Sequence, residues 1–429
     1  MRRFDSPTAR RAVLTWTTLI SSLVFLFVAR AIVARILGPT AVGMYVLMLT
    51  AGLLGGTLLS FGLPAYNASF AAEHPRRVLL ANSIAWTGAI FVVLSVVCLP
   101  TLLFGRLPPS RQFLVFGVWM APVTALLECT RGVLQGSNSI AAYNWVAFIA
   151  GALNLSCIAV LSATVGLTLP GAVLSWVLSV GVSLMLGVWL GLRGEKLGRP
   201  DFAVLAGSLR FGGQAWLSQL AGVVNIRIAV VLIEVLLGTA AVGIYAIAAT
   251  IGEVLLYFPN ALAAVTVARY GSASRADAAR LVVRSSLFVL LVNAGCAAAV
   301  ALVARPMIML AFGAEYEASV PLLLVLLPGV VLYSPVAVTT WYFNAHLKRP
   351  SLNLVVASFS AICGAALIGI LAPSHGLVGV ALATTCGYAA ASALNIVILQ
   401  RSSKLSYAHL IDAARHAPRR AVPAPGAPE

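Results

Sequence analysis

The feature that most constrains this chain is a series of twelve long apolar runs separated by short polar or Gly/Pro-containing loops. A helix of about 20 apolar residues crosses the hydrocarbon core of a bilayer. Hydrophobic residues make up 61% of the 429 residues and charged residues only 9%. A soluble domain has about 45–50% apolar and about 25% charged residues. The composition therefore predicts an all-α polytopic membrane protein of about twelve transmembrane helices. The predicted spans are 12–36, 41–64, 78–104, 112–135, 141–164, 168–192, 208–236, 241–265, 281–304, 318–341, 351–373 and 376–400.

The first apolar run is too long for the apolar region of a cleaved signal peptide. It follows a basic segment, residues 1–11, and extends about 24 residues to Leu37, whereas a signal peptide has about 7–15 apolar residues. It also lacks a small-residue cleavage site before a polar sequence. We therefore interpret it as a retained first span.

Basic residues are distributed unequally between the two predicted sides of the membrane. With the N-terminus in the cytoplasm, 22 of the 28 basic residues lie in cytoplasmic segments, and only Arg106, Arg111 and Arg305 lie outside. The positive-inside rule then predicts that both termini are cytoplasmic, and we expect the protein in the bacterial cytoplasmic (inner) membrane. This topology also explains the net charge of +16. Because no segment is long enough for a basic soluble domain, nucleic acid is not a predicted partner.

An internal repeat indicates two related halves. Residues 37–45 (LGPTAVGMY) and 237–245 (LGTAAVGIY) match at six of nine positions, and six predicted spans separate them. An even number of spans gives the two halves the same orientation, as in a parallel repeat. Gly38 and Gly238 are predicted to end helices in the left-handed conformation. The second glycine of each copy is predicted to allow close packing as the next helix starts, and Tyr45 and Tyr245 to anchor at the interface.

The repeat and the loops predict the domain organisation. A cytoplasmic N-terminal segment (1–11) precedes an N-terminal six-helix lobe (12–192). A cytoplasmic linker (193–207) joins it to a C-terminal six-helix lobe (208–400), and a cytoplasmic basic, Ala/Pro-rich tail (401–429) follows.

Two segments resemble a known family. The stretch ARILGPTAVGMYVLMLTAGLLGGTLLSFGLPA, and the stretch that begins LRFGGQAWLSQLAGVVNIRIAVVLIEVLLGTAAVGIY, are similar to polysaccharide exporters of the O-antigen-flippase type. These belong to the multidrug/oligosaccharidyl-lipid/polysaccharide exporter superfamily. The resemblance implies two lobes around a central cavity, and flipping of undecaprenyl-pyrophosphate-linked oligosaccharide by alternating access for surface polysaccharide biosynthesis. It also implies polymerase and chain-length-control proteins of the same pathway as partners.

Two arginines inside spans are candidates for substrate binding. A charge at the centre of a span costs about 2.5–3.5 kcal/mol on insertion scales. Arg30 lies eight residues before Gly38 and Arg227 eleven before Gly238, so their depths differ by roughly 4.5 Å and their directions by roughly 60°. If both helices face one cavity, the pair forms a cationic site for a pyrophosphate, which arginine binds bidentately. The alternative is that both arginines extend to the interface or form structural ion pairs.

Acidic and amide side chains within the spans are candidates for coupling or for lining the cavity. Glu253 lies near the centre of the eighth predicted span, and Glu234 near the outer end of the seventh, about 10 Å along the helix from Arg227. Glu253 is the candidate proton- or ion-coupling carboxylate, with a structural partnership to an arginine as the alternative. Asn225 could bind sugar hydroxyls or make interhelical hydrogen bonds.

Two prolines are hinge candidates. Pro64 and Pro259 each lie late in the second predicted helix of a half, and neither can donate the usual helical hydrogen bond. We expect each to bend its helix, either as a moving hinge or as a static kink.

Missing motifs narrow the function. The chain has no GxxxxGK[ST], HExxH or GxSxG motif and no CxxC pair among its six cysteines, so no cofactor or metal site is predicted. The largest predicted outer loop, 305–317, is too small for a catalytic domain, which argues against an enzyme. Three alternatives remain open: a multidrug exporter, a lipid II exporter, and a membrane polysaccharide polymerase or glycosyltransferase.

Overall fold

The computed structural model describes residues 7–272 and 275–403, so residues 1–6 of the N-terminal segment and 404–429 of the tail lie outside it. Within the described ranges the regular structure is entirely helical, which confirms the predicted all-α class. The helices are α1 (Pro7–Ser60), α2 (Leu63–Phe70), α3 (Arg76–Phe104), α4 (Pro109–Gly136), α5 (Ile140–Thr164), α6 (Leu169–Leu192), α7 (Phe202–Leu237), α8 (Thr239–Leu255), α9 (Tyr257–Ser272), α10 (Arg275–Ala311), α11 (Ser319–Ala345) and α12 (Ser351–Ser403), with a 3-10 turn at Ala314–Tyr316.

Ten helical segments of the described chain are long and apolar enough to cross a membrane. Two of them contain a non-helical glycine, Gly38 in α1 and Gly376 in α12, each close to a predicted break between spans. The multi-pass prediction is therefore confirmed, and the two longest helices each correspond to two predicted spans.

The glycine breaks share a backbone conformation that other residues avoid. Gly38 has φ 73° and ψ 174°, and Gly238, between α7 and α8, has φ 87° and ψ 174°. Both have the positive φ that the sequence predicted, but ψ is extended rather than left-handed helical. This region is accessible essentially only to glycine. The two copies of the repeat therefore turn the chain in the same way.

The loops define two ends of the helix bundle. The end that we call the basic end carries the loops 71–75, 137–139, 193–201 and 346–350, and the opposite end carries 105–108, 165–168 and 312–318. In the first half α1 packs against α4 and α5, and α5 against α6. In the second half α7 packs against α12, and α11 against α10 and α12. The two halves meet mainly where α1 contacts α8 and α7.

The two copies of the repeat pack against each other. A Cβ atom built on Gly43 would lie 2.0 Å from the carbonyl oxygen of Thr239, and one on Gly243 would lie 1.9 Å from that of Pro39. The predicted close packing is thus real, but it joins the two halves rather than the helices of one hairpin. The prediction of interfacial tyrosines is wrong, because Tyr45 and Tyr245 are 5% and 4% exposed and belong to the core.

Candidate functional site: a charged cavity between the halves

A cavity of about 270 Å³ lies between the two halves, enclosed by α1, α2, α4 and α6 on one side and by α7 and α8 on the other. A mixture of apolar and polar side chains lines it. The polar and charged lining residues are Arg30, Thr50, Thr57, Ser60, Thr124, Glu128, Gln219, Arg227, Thr250 and Glu253. Both predicted arginines therefore border one cavity, as does the predicted coupling carboxylate.

Arg30 reaches from α1 to the other half. Its Nη1 atom donates a hydrogen bond of 2.7 Å to the Oγ1 atom of Thr250 on α8. Among the residues that the structure describes, Arg30 forms no ion pair with a carboxylate. Within the described part of the chain, the direct polar partner of this cation is therefore a neutral hydroxyl.

Arg227 has an acidic partner across the helix pair α7 and α8. Its Nη1 and Nη2 atoms donate to the two carboxylate oxygens of Glu253 at 3.1 and 3.4 Å. The side chains are 20% and 25% exposed, so both remain accessible from the cavity. A two-point contact of this kind fixes the plane of the guanidinium group.

Glu128 contributes a second carboxylate, but its charge is balanced locally. Its Oε1 atom accepts a hydrogen bond of 2.7 Å from Arg131, whose guanidinium group lies 4.8 Å from the centre of the Tyr143 ring. The lining itself holds two arginines and two carboxylates, and Arg131, which pairs with Glu128 from outside the lining, brings the group to one net positive charge.

Of the remaining predicted site residues, Glu234 and Asn225 lie outside the cavity and Pro64 lines it. Glu234 accepts a hydrogen bond of 2.9 Å from Thr239 and does not line the cavity. Asn225 is buried within the second half, where its amide donates to the hydroxyl of Tyr333 at 3.4 Å.

Both proline candidates lie in the first turn of a helix that follows an interruption. Pro64 is in the first turn of α2, after Phe61 and Gly62, which both have positive φ. Pro259 is in the first turn of α9, after the break at Leu256. Proline is tolerated in a first helical turn because the N–H that it lacks has no partner there.

The basic end of the cavity is closed by contacts that the sequence did not predict. The indole Nε1 of Trp216 on α7 donates to the carbonyl oxygen of Thr57 at 2.9 Å, and its ring stacks on Phe61 with centroids 4.5 Å apart. A Cβ atom on Gly62 would lie 2.6 Å from the carbonyl oxygen of Gly212. The paired glycines at 212–213, next to an aromatic residue, were the available signal for a close contact.

The opposite end is closed more extensively. Gly43 and Gly243 of the repeat lie against the backbone of the other half here. In addition, the ring of Phe27 packs edge-on against that of Phe312, with centroids 5.5 Å apart. The hydroxyl of the fully buried Tyr316 donates to the carbonyl oxygen of Ala34. Burial, assisted by the nearby negative charge of Glu315, raises the pKa of Tyr316, so this hydroxyl stays protonated as a donor. The two halves are therefore in contact at both ends of the bundle.

Solved structures share this architecture. An inward-facing multidrug resistance MATE family transporter of the MOP superfamily matches with a TM-score of 0.74 at 16% identity, over 94% of this chain and 99% of the other. The lipid II flippase MurJ in an inward closed conformation matches with a TM-score of 0.68 at 12% identity, over 94% of this chain and 90% of the other. A MOP superfamily transporter from Pyrococcus furiosus gives 0.66 at 16% identity, over 92% and 95%. The chain thus has the fold of the MOP-superfamily transporters.

The sequence identifies the family within this class. Residues 11–268, more than half of the chain, match the family described as polysaccharide biosynthesis protein, and the chain belongs to that family. No curated protein matches it in sequence. The resemblance stated from the sequence is confirmed.

Proposed function

We propose that this protein flips undecaprenyl-pyrophosphate-linked oligosaccharide across the bacterial inner membrane by alternating access, for surface polysaccharide biosynthesis. The observation that carries the proposal is the cavity between the halves, in which Arg30 has no acidic partner among the described residues and Arg227 is accessible. Membership of the polysaccharide biosynthesis family supports a glycan-related cargo.

The diphosphate is the part of the substrate that the cavity suits. Arginine is permanently charged and its planar group matches phosphate oxygens in pairs. A cavity of about 270 Å³ holds a diphosphate but not a whole lipid-linked oligosaccharide. We therefore place the diphosphate between Arg30 and Arg227, and the polyprenyl tail in the bilayer.

Diphosphate binding gives Glu253 a candidate coupling role. Phosphate oxygens that bind Arg227 compete with Glu253 for the same N–H groups. An unpaired carboxylate in a low-dielectric site is unfavourable and attracts a proton or a cation. Release of Glu253 on substrate binding would then couple substrate movement to an ion.

Other exporters and an enzyme fit the site less well. A multidrug exporter of cationic compounds needs a net negative cavity, whereas the lining here balances its two carboxylates with two arginines. A lipid II exporter would share the diphosphate chemistry. The experiment below distinguishes it from an oligosaccharide flippase by which lipid-linked glycan accumulates. A polymerase or glycosyltransferase needs acid–base groups at a glycosidic bond, and both cavity carboxylates here are held by arginines. We therefore propose a transporter rather than an enzyme.

The test uses a strain that lacks the gene. Wild type, Arg30→Gln and Arg227→Gln are restored at equal expression, and the sidedness of lipid-linked oligosaccharide is assayed together with surface polysaccharide. Arg35→Gln is the matched control, because Arg35 lies on the same helix but is exposed and donates to the backbone of Leu310. We expect the strain without the gene to accumulate lipid-linked intermediate on the cytoplasmic face. Wild type and Arg35→Gln should correct this defect, whereas flipping by the two cavity variants should be reduced at least about tenfold.

Three results would contradict parts of the proposal. Full correction by all variants would remove the cationic site. Intermediates that reach the outer face without being polymerised would favour the polymerase alternative. Accumulation of lipid II instead of oligosaccharide would assign the lipid II alternative.

A further inference from the structure

A second cavity, of about 390 Å³, lies entirely within the second half. It is enclosed by α7, α8, α9, α11 and α12, and its wall includes Arg227 and Glu253, which also line the cavity between the halves. We propose that this second cavity binds the first, uncharged sugar residues of the lipid-linked glycan. The inference rests on the proposed function, because the sugar is positioned by a diphosphate bound at Arg227.

The shared ion pair fixes the relation between the two cavities. In a lipid-linked glycan the first sugar is bonded directly to the diphosphate. Arg227 belongs to the wall that the two cavities share. A diphosphate bound to its guanidinium group therefore places the first sugar next to that wall. The polyprenyl end points the other way, so the pair of cavities sets the direction in which the substrate lies.

The lining has the chemistry of a carbohydrate site. Apart from Arg227 and Glu253, every residue that lines the second cavity is uncharged. Hydroxyl and amide groups alternate with apolar surface, as in ligand pockets where a few polar groups fix orientation. The polar groups are Ser218, Tyr257, Asn260, Tyr333, Thr340 and Asn353.

Several of these groups are held in place and keep hydrogen-bonding capacity. The hydroxyl of Tyr333 accepts from Asn225, which leaves its own proton to donate, and its ring stacks on Tyr388 with centroids 4.6 Å apart. The amide nitrogen of Asn353 donates to Asn344 and to the carbonyl of Thr340, which leaves its oxygen to accept. Groups fixed in this way lose little conformational entropy when a ligand binds.

The charge pattern predicts discrimination between neutral and acidic sugars. A hexuronic acid would bring a second carboxylate next to Glu253 after the diphosphate has displaced Glu253 from Arg227, the one cation of the lining. A neutral N-acetylhexosamine meets no such repulsion. Like charges in a partly buried site disfavour binding.

The experiment measures binding of defined ligands to the purified full-length protein in lipid nanodiscs. The ligands are a short-chain prenyl diphosphate, and the same lipid carrying one neutral N-acetylhexosamine or one hexuronic acid. The variants are Thr340→Val, which keeps the shape but removes a hydroxyl, and Asn260→Ala, whose exposed amide donates to the carbonyl oxygen of Leu256 just before the helix. Arg30→Gln and Arg227→Gln are measured alongside. Ser334→Ala is the matched control, because its hydroxyl lies on the same helix as Thr340 but donates to Val331 and does not line this cavity.

We expect the neutral sugar to tighten wild-type binding relative to the bare diphosphate, and the acidic sugar to tighten it less or not at all. Each test variant should weaken binding of the neutral-sugar ligand by about 3- to 10-fold, the effect of one hydrogen bond. Binding of the bare diphosphate, and all binding by Ser334→Ala, should be unchanged.

The outcomes separate this inference from the proposed function. Equal affinities for bare and sugar-bearing ligands, with binding still lost in Arg227→Gln, would overturn the sugar site and leave the diphosphate site intact. Equal weakening of all three ligands by Thr340→Val would also overturn it. Diphosphate binding that does not depend on Arg30 or Arg227 would overturn the proposed function itself.

Discussion

At the scale of single residues, the site depends on how few charges the membrane region contains and how each is paired. Arg227 is bound to Glu253 on both of its terminal nitrogens, whereas Arg30, among the residues described, is bound to the neutral hydroxyl of Thr250. A paired charge is tolerated in a low-dielectric environment, while removal of one partner leaves an uncompensated charge. Arg30 is therefore free to bind an anion, and Arg227 binds one only by exchange with Glu253.

This pairing predicts non-additive stability. Arg227→Gln and Glu253→Gln each leave one unpaired charge, and the double variant leaves none. We expect the double variant to be more stable than the sum of the single effects indicates, with a coupling free energy of about 1 kcal/mol or more. Thermal unfolding of the four purified proteins in one detergent measures it, and strictly additive effects would show that the contact has no energetic role.

At the scale of helices, conformational change requires places where a helix is already interrupted. The break between α1 and α2 lies at Phe61 and Gly62, where the backbone of Gly62 also contacts that of Gly212 on α7. Pro64 follows in the first turn of α2. The N–H group that proline lacks would have no partner within the helix at this position. The glycine is therefore the position at which a side chain would both strain the turn and separate the helices.

Gly62→Ala is expected to open the basic end, because its φ of 82° disfavours alanine and its Cβ would overlap Gly212. A strained or overpacked position of this kind costs about 1–3 kcal/mol. In a cysteine-free background, Gln219→Cys in the cavity lining reports access of a water-soluble thiol reagent.

We expect at least about fivefold faster labelling in Gly62→Ala, and little change in Pro64→Ala. The reverse order would favour the proline hinge that the sequence suggested. Unchanged labelling in both variants would place the movement elsewhere.

At the scale of the whole molecule, the two halves are joined at each end by a different set of contacts. The basic end is closed by Trp216, Phe61 and the Gly62–Gly212 contact. The opposite end is closed by the repeat glycines, by aromatic packing and by Tyr316. Because small residues allow helices in membranes to approach closely, each glycine contact is a place where added volume separates the halves.

Substitution of the repeat glycines is expected to open the opposite end. A Cβ atom at Gly43 or Gly243 would lie 2.0 or 1.9 Å from a carbonyl oxygen of the other half, so the halves must move apart. Gly243→Val should shift the protein towards a state open at that end, with a cost to the closed state of about 1–3 kcal/mol.

Distances between spin labels on Arg106 and Glu317, at the opposite end, measure this change. Gly88→Val is the matched control, since nothing lies within 4 Å of a Cβ at that position. A distance distribution that is unchanged in Gly243→Val, or equally changed in Gly88→Val, would contradict the assignment of the repeat as the contact that closes this end.

The sequence predicted the fold and part of the site because both depend on local properties. Hydropathy located the spans, glycines marked the breaks at 38 and 238, and the register of the repeat indicated that Arg30 and Arg227 lie at similar depth. Their role in substrate binding, and the hinge role of Pro64 and Pro259, remain predictions.

By itself, then, the sequence determined the class of protein, the approximate spans and the few charges that the bilayer must accommodate, because each follows from the residues of one segment. Only the tertiary structure decided that Arg227 pairs with Glu253 rather than facing Glu234, that Tyr45 and Tyr245 are buried, and that a second cavity adjoins the first. The physical reason is that helices in lipid are apolar on nearly every side, so no polar stripe in the sequence shows which face meets which partner.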